Sequence, residues 1–215
     1  MRVGVLISGR GSNLASLIEA TKAADYPAEI VTVISNKADA GGIAIARNAG
    51  IPAEIISHRD YPSREAFDAA LDATLRRAGV DLVCNAGFMR ILSDGFVDAW
   101  RDRQLNIHPS LLPAFKGLHV HERVLEAGCR ITGCTVHFVR PAMDEGPIVA
   151  QAAVPVIPGD TVDRLADRVL AAEHRLYPMA LRLVAEGRTR IVDERVLIDG
   201  EDAGAQAPLF VPAGH

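Results

Sequence analysis

Arg2-Val3-Gly4-Val5-Leu6-Ile7-Ser8-Gly9-Arg10-Gly11-Ser12-Asn13-Leu14 is the stretch on which the fold turns. Residues 3–7 are apolar without interruption. A glycine-rich turn follows, and then Leu14, Leu17 and Ile18 fall at helical spacing over residues 13–24. A strand with no polar alternation is buried on both faces, which requires a parallel sheet covered by helices. Outward from this unit the alternation repeats. Residues 30–34 read as a strand, 41–49 as a helix, 53–57 as a strand, and 63–78 as a helix capped by Ser63. Residues 81–85 carry Leu82, Val83 and Cys84, again apolar on both faces. Residues 96–100 suggest a short helix, and 105–107 a strand stopped by Pro109. The expected class is α/β with a mostly parallel central sheet flanked by helices. Ligands on such sheets sit beyond the carboxyl ends of the strands.

After Pro109 the pattern changes. Residues 113–118 read as a loop, 119–126 as a helix, 131–139 and 148–156 as strands joined by a turn at Asp144-Glu145-Gly146-Pro147. Residues 160–185 suggest a long helix with Asp160 or Thr161 as cap and Gly187 near its end. Residues 188–198 suggest a hairpin. The division expected is one domain over 1–215, with a nucleotide- or phosphate-binding half at 1–107, a second half at 108–200 and a weakly structured tail at 201–215.

The 215 residues suffice for one large domain or two small lobes. With 49% hydrophobic and 23% charged residues the composition is that of an ordinary globular protein. A net charge of −4 and the lack of a dense Lys/Arg block argue against nucleic acid as partner. No apolar run is long enough to span a bilayer, and the first residues do not form a signal peptide. Cys84, Cys129 and Cys134 fit no zinc spacing. Cys84 and Cys134 lie in apolar runs and read as buried, inert thiols. A reducing cytoplasm is the expected compartment.

Three constellations carry chemistry. In Ser8-Gly9-Arg10-Gly11-Ser12-Asn13, Gly9 and Gly11 permit unusual backbone shapes, and a helix N-terminus presents free N–H groups to a phosphate. The plain alternative is a tight turn capped by Ser12. Leu14 stands where a dinucleotide fingerprint has its third glycine, and Ser35-Asn36-Lys37 stands where its acid falls. A phosphomonoester therefore suits the loop better than NAD. Second, Asn106 and His108 in Leu105-Asn106-Ile107-His108-Pro109 share one face of a strand. An amide donor beside an imidazole suits acyl transfer, where oxyanion binding and proton handling are both needed. A structural Asn and a satisfied His read equally well from spacing. Third, Asp144 is a turn carboxylate that matters only if the fold carries it to His108. His119 and His121 would not share a helix face. His137 reads as a core or supporting histidine, and Glu173 as a solvated acid on an amphipathic helix.

Five strings go further. Ile7-Ser8-Gly9-Arg10-Gly11-Ser12-Asn13, Ile34-Ser35-Asn36-Lys37, Ala86-Gly87-Phe88-Met89-Arg90-Ile91-Leu92, Asn106-Ile107-His108-Pro109-Ser110-Leu111-Leu112-Pro113 and Asp144-Glu145-Gly146-Pro147 resemble the phosphoribosylglycinamide formyltransferases, from about residue 2 to residue 200. The resemblance implies a Rossmann-like formyltransferase fold. It implies transfer of the formyl group of 10-formyltetrahydrofolate to the amine of glycinamide ribonucleotide in purine synthesis, with no metal. It also implies a catalytic trio of Asn106, His108 and Asp144. Gly11, Ser12 and Asn13 would hold the substrate phosphate, with Glu173 on the ribose side. Arg64, Met89, Arg90, Ile91, Leu92, Asn106, Arg140, Pro141, Ala142, Met143 and Asp144 would line the folate pocket. Ala114 departs from members that carry a basic residue there, although Lys116 is close by. Formyltetrahydrofolate hydrolase is an alternative, but it normally carries an extra amino-terminal domain, which a first strand at residue 2 leaves no room for. Methionyl-tRNA formyltransferase normally has a longer chain and a different first loop. A non-catalytic module binding phosphosugar or folate would not need the trio intact.

Overall fold

A strand whose side chains are all apolar has to be covered twice, and the computed structural model, which describes residues 1–200 and residue 211, shows the two covers. Strand β1 (Arg2–Ile7) lies inside a seven-stranded sheet, third from one edge. It leads to α1 (Ser12–Thr21), β2 (Glu29–Ser35), α2 (Gly41–Asn48) and β3 (Ala53–Ile55). Then come α3 (Arg64–Arg77), β4 (Leu82–Asn85), α4 (Asp94–Ala99) and β5 (Gln104–His108). The second half supplies α5 (Val120–Glu126), β6 (Ile131–Phe138), β7 (Ile148–Pro155) and the long α6 (Val162–Ala185). A separate hairpin, β8 (Thr189–Val192) and β9 (Arg195–Ile198), follows. The sheet order is β3-β2-β1-β4-β5-β6-β7. The first five strands pair in parallel, while β6 is antiparallel to both β5 and β7.

Val3, Val5 and Ile7 face one core with Leu14 and Leu17 of α1 and Leu176 and Tyr177 of α6. Leu6 faces the other, with Ile34, Val83, and Phe67, Leu71 and Leu75 of α3. Each large side chain so buried contributes about 1.5–3 kcal/mol. The missing polar alternation thus has a direct cause: neither face of the inner strands meets water.

Element types match the sequence reading, while several ends and caps differ. Helix α1 starts at Ser12, and Ser12 does not cap it. The cap position belongs to Gly11, at φ 80°, with no side-chain acceptor. Ser63 does cap α3, accepting from Ala66 N at 3.1 Å. Thr161, not Asp160, caps α6. Asp160 instead receives Arg168 and the Ile157 amide. The expected tail at 201–215 lies, apart from residue 211, outside the described residues. Among the described residues no helix is long and apolar enough to cross a membrane.

Candidate active site

The site grows from the pairing of β5 with β6. Asn106 stands opposite His137, and His108 opposite Thr135. Residues two apart share a face, so these four side chains form one patch where β5 ends. Thr135 is fully buried. Its hydroxyl donates to Ser110 O at 2.7 Å and accepts from Leu112 N at 3.0 Å. The same hydroxyl accepts from Gln151 Nε2 at 3.0 Å. This ties down the chain leaving His108.

Loop 139–147 brings the acid. It leaves β6 beside the start of β5, where Val139 N donates to Gln104 O. It then folds back so that Asp144 Oδ2 lies 3.4 Å from His108 Nδ1 and accepts from Gly117 N at 2.9 Å. Asp144 has φ 54°, a left-handed shape that aspartate tolerates better than most residues. Gly146 closes the fold-back: a Cβ there would stand 1.6 Å from Phe138 O. Sequence spacing places Asp144 far from His108, and the loop joins them.

The hydrogen-bond pattern specifies protons. His108 is 6% exposed, and its Nε2 is 3.0 Å from Phe115 O. A carbonyl only accepts, so Nε2 donates. A neutral ring would then aim its Nδ1 lone pair at the Asp144 carboxylate. An imidazolium satisfies both sides. His137 is the opposite case. Its Nδ1 donates to Phe138 O at 2.9 Å, leaving Nε2 to accept from Asn106 Nδ2 at 3.2 Å. Burial lowers the His137 pKa, so this ring stays neutral. The pair of strands thus presents one histidine contacted at both ring nitrogens and one arranged as an acceptor for the Asn106 amide.

At the end of β1, with β4 between it and β5, the glycine loop is fixed by backbone contacts. A Cβ on Gly11 would stand 2.5 Å from Gly42 Cα, at a φ that already disfavours side chains. Gly9 has no such constraint, since nothing lies within 4 Å of its would-be Cβ. Glycine is therefore required by the fold at only one of the two positions. Ser8 Oγ donates to Asn36 Oδ1 at 2.6 Å and accepts from Met89 N at 2.8 Å, linking the loop to the ends of β2 and β4. A cleft of about 370 Å³ on the β2 side is lined by Ser8, Gly9, Arg10, Lys37, Asp39, Ala40 and Gly41. Asn13 points elsewhere, toward α6, where its Nδ2 donates to Glu173 Oε2 at 2.7 Å. Its Oδ1 is buried without a partner.

The reading of Glu173 as a solvated acid is overturned. It is 7% exposed, on the inner stripe of α6 with Val169, Leu176 and Tyr177. Burial pushes its pKa up to about 7, and the Asn13 bond offsets only part of that rise. The thiol readings hold: Cys84 and Cys134 are buried, and desolvation raises both to about 12. Among the described residues no group of three His, Cys, Asp or Glu could hold a metal ion. His119 is exposed at the start of α5, while His121 Nδ1 is buried and unpartnered.

The residues expected around folate are of several kinds. Met89, Ile91 and Met143 are exposed at 66%, 62% and 53%, an unusual concentration of apolar surface at strand-end loops. Leu92 is buried. Arg64 opens α3 and, among the described residues, pairs only with its neighbour Glu65, at 3.4 Å. Arg90, Pro141 and Ala142 are exposed. The Arg140 guanidinium is turned away from this surface and held by Asp102 and Glu194, so backbone and not side chain is what Arg140 leaves to face a ligand. His137, expected as a core or supporting histidine, completes the catalytic patch together with Thr135, which the sequence reading did not single out. Their period of two within β6 is the signal that would have found them.

A family model described as formyl transferase matches residues 1–181. The Escherichia coli phosphoribosylglycinamide formyltransferase is 44% identical over 201 residues, covering 94% of this chain and 95% of that protein. The crystal structure of glycinamide ribonucleotide transformylase 1 from Symbiobacterium toebii superimposes with a TM-score of 0.91 at 52% identity, covering 93% and 94% of the two chains. The trifunctional purine biosynthetic protein adenosine-3 of Bos taurus is 55% identical over 190 residues. That match covers 88% of this chain, which spans only 19% of that longer relative. The chain belongs to the formyl transferase family.

Proposed function

We propose that the protein transfers the formyl group of 10-formyltetrahydrofolate to the amine of glycinamide ribonucleotide, a step of purine biosynthesis, in the cytoplasm. The observation that carries this reading is the joining of Asn106, His108 and Asp144 in one patch, one strand away from the glycine loop. The near full-length match to the Escherichia coli enzyme supports it.

In this mechanism the amine attacks the formyl carbon. A C–N bond forms to the amine, and the carbon's bond to N10 of the folate breaks. The amine loses a proton, and N10 gains one. Charge collects on the formyl oxygen in between. Asn106 Nδ2 keeps one hydrogen for that oxygen while the other goes to His137. The ring of His108, beside the Asp144 carboxylate, lies two residues along the same face. Donors fixed in advance at this position are worth about 10²–10³-fold in rate each. Asp144 holds the His108 ring and accepts protons passing from the amine. The Gly11, Ser12 and Asn13 segment takes the substrate phosphate, Glu173 its ribose side, and the exposed apolar loops with Arg64 take the folate.

The test is to mix the protein with 10-formyltetrahydrofolate, with and without glycinamide ribonucleotide, and follow formylfolate by absorbance. Consumption that requires the acceptor is expected. Consumption without acceptor identifies a hydrolase, and no consumption overturns the reading.

A further inference from the structure

The hairpin β8–β9 lies outside the main sheet, yet its tip reaches the loop that bears Asp144. The turn between the strands is Asp193-Glu194, with φ 49° and 56°. Two-residue hairpins with both φ positive favour Asn-Gly or Asp-Gly. Glu194 takes the place where glycine costs least, at a penalty of about 1–2 kcal/mol. A side chain kept at such a position has something to hold.

It holds Arg140. Arg140 Nε donates to Glu194 Oε2 at 2.6 Å, and its NH2 donates to Asp102 Oδ1 at 2.7 Å. NH1 donates to Val139 O at 3.1 Å. The Arg140 side chain is only 8% exposed, although both acids are about half exposed. Arg101 NH2 donates to Glu194 Oε1 at 2.7 Å, which fixes the carboxylate from its other side. Asp102 also has a left-handed backbone, at φ 59°. Two turns therefore converge on one guanidinium at the first residues of loop 139–147. The far end of that loop is held separately, by Lys116 on Glu145 at 2.7 Å and by Gly117 N on Asp144.

We propose that Arg140 and Glu194 are positioning residues for the formyl transfer: the hairpin acts as a strut that sets loop 139–147, and through it Asp144 against His108. The inference rests on the transfer reading above. Without the strut the loop keeps its base at Phe138–Pro147 but loses the anchor that fixes its path, so Asp144 spends less time at His108. A misplacement of about 1 Å far from the chemistry costs up to about a hundredfold in rate.

Arg140→Ala, Glu194→Ala and the double variant test this, with Arg140→Lys as the conservative replacement. Each single Ala variant is expected to lower kcat by roughly ten- to a hundredfold, with the KM for glycinamide ribonucleotide within twofold of wild type. The double variant should lose no more than the worse single one, because both act through one contact. Arg140→Lys should recover part of kcat. Amide hydrogen exchange gives a readout independent of activity: residues 139–146 should exchange faster in Glu194→Ala while the Gly9–Asn13 loop is unchanged. Normal kcat with only a lowered Tm makes the strut merely structural and overturns the proposal, as does unchanged exchange at 139–146. Wild-type protein that transfers no formyl group in the same assay overturns the transfer reading instead, and the exchange result then stands by itself.

Discussion

The glycine loop and the catalytic patch lie at the ends of nearby strands but are assembled by different means. The loop is four residues, 8–11, between β1 and α1, and it runs on into Ser12 and Asn13 of the helix. Its shape is set by one left-handed glycine and by contact with the start of α2. The patch draws Asn106 and His108 from β5, His137 from β6 and Asp144 from a loop beyond it. The main-chain groups of Phe115 and Gly117 complete it. A local device needs only its own sequence to form. A distributed one depends on register, and a one-residue slip of β6 would turn Thr135 and His137 to the opposite face. Damage to the loop should therefore appear as lost binding and stability, and damage to the patch as lost rate.

The largest effect is expected at the centre of the distributed device. His108→Ala should lower single-turnover formyl transfer by about 10²–10⁴-fold, and a variant within fivefold of wild type would remove His108 from the chemistry. Asn106→Ala should cost about 10²–10³-fold in kcat with both KM values little changed. If only a KM rises, the amide is a binding group and not an oxyanion donor. In the local device, Gly11→Val should destabilise by about 2–3 kcal/mol in urea unfolding, whereas Gly9→Ala should stay within about 0.5 kcal/mol. Equal losses at the two glycines would show that the contact with Gly42 does not set the loop.

A pH-dependent effect is expected at Glu173, which touches the loop from α6. Its pKa in the folded protein, about 7, lies above the usual carboxylate value of 4.5. The folded state therefore favours the protonated form, and stability is lost as pH rises through 7. Glu173→Gln removes this titration and keeps an acceptor for Asn13. The variant should gain on wild type by roughly 3 kcal/mol at pH 9, and by little at pH 5. Melting curves with the same offset at both pH values would contradict the buried-charge account.

What was legible in the sequence follows the same division. The apolar run 3–7, the glycine turn and the spacing of Leu14, Leu17 and Ile18 yield the parallel α/β unit, because short-range pattern determines burial there. Asn106 and His108 share a face by strand period alone. Asp144 could not be placed, because its contact depends on a fold-back closed by Gly146 against a main-chain carbonyl. The misreading of Glu173 has a different cause. Val169, Glu173, Leu176 and Tyr177 follow the helical period of a buried stripe. Position, not the acidic side chain, decides its exposure. The alternative of a turn capped by Ser12 rests on residue type alone, and the left-handed Gly11 occupies that position.

The neutral ring of His137 has one further consequence. Its single hydrogen is committed to the Phe138 carbonyl, so the edge facing Asn106 can only receive. The carboxamide of Asn106 is thereby given a handedness: nitrogen inward to the ring, oxygen away from it. The orientation of a main-chain carbonyl is passed through an imidazole to a side chain that must be a donor when the reaction needs one. Acid strong enough to protonate His137 would put hydrogens on both edges and reverse that instruction, turning the carbonyl end of Asn106 toward the ring. The patch would keep every residue and lose its polarity.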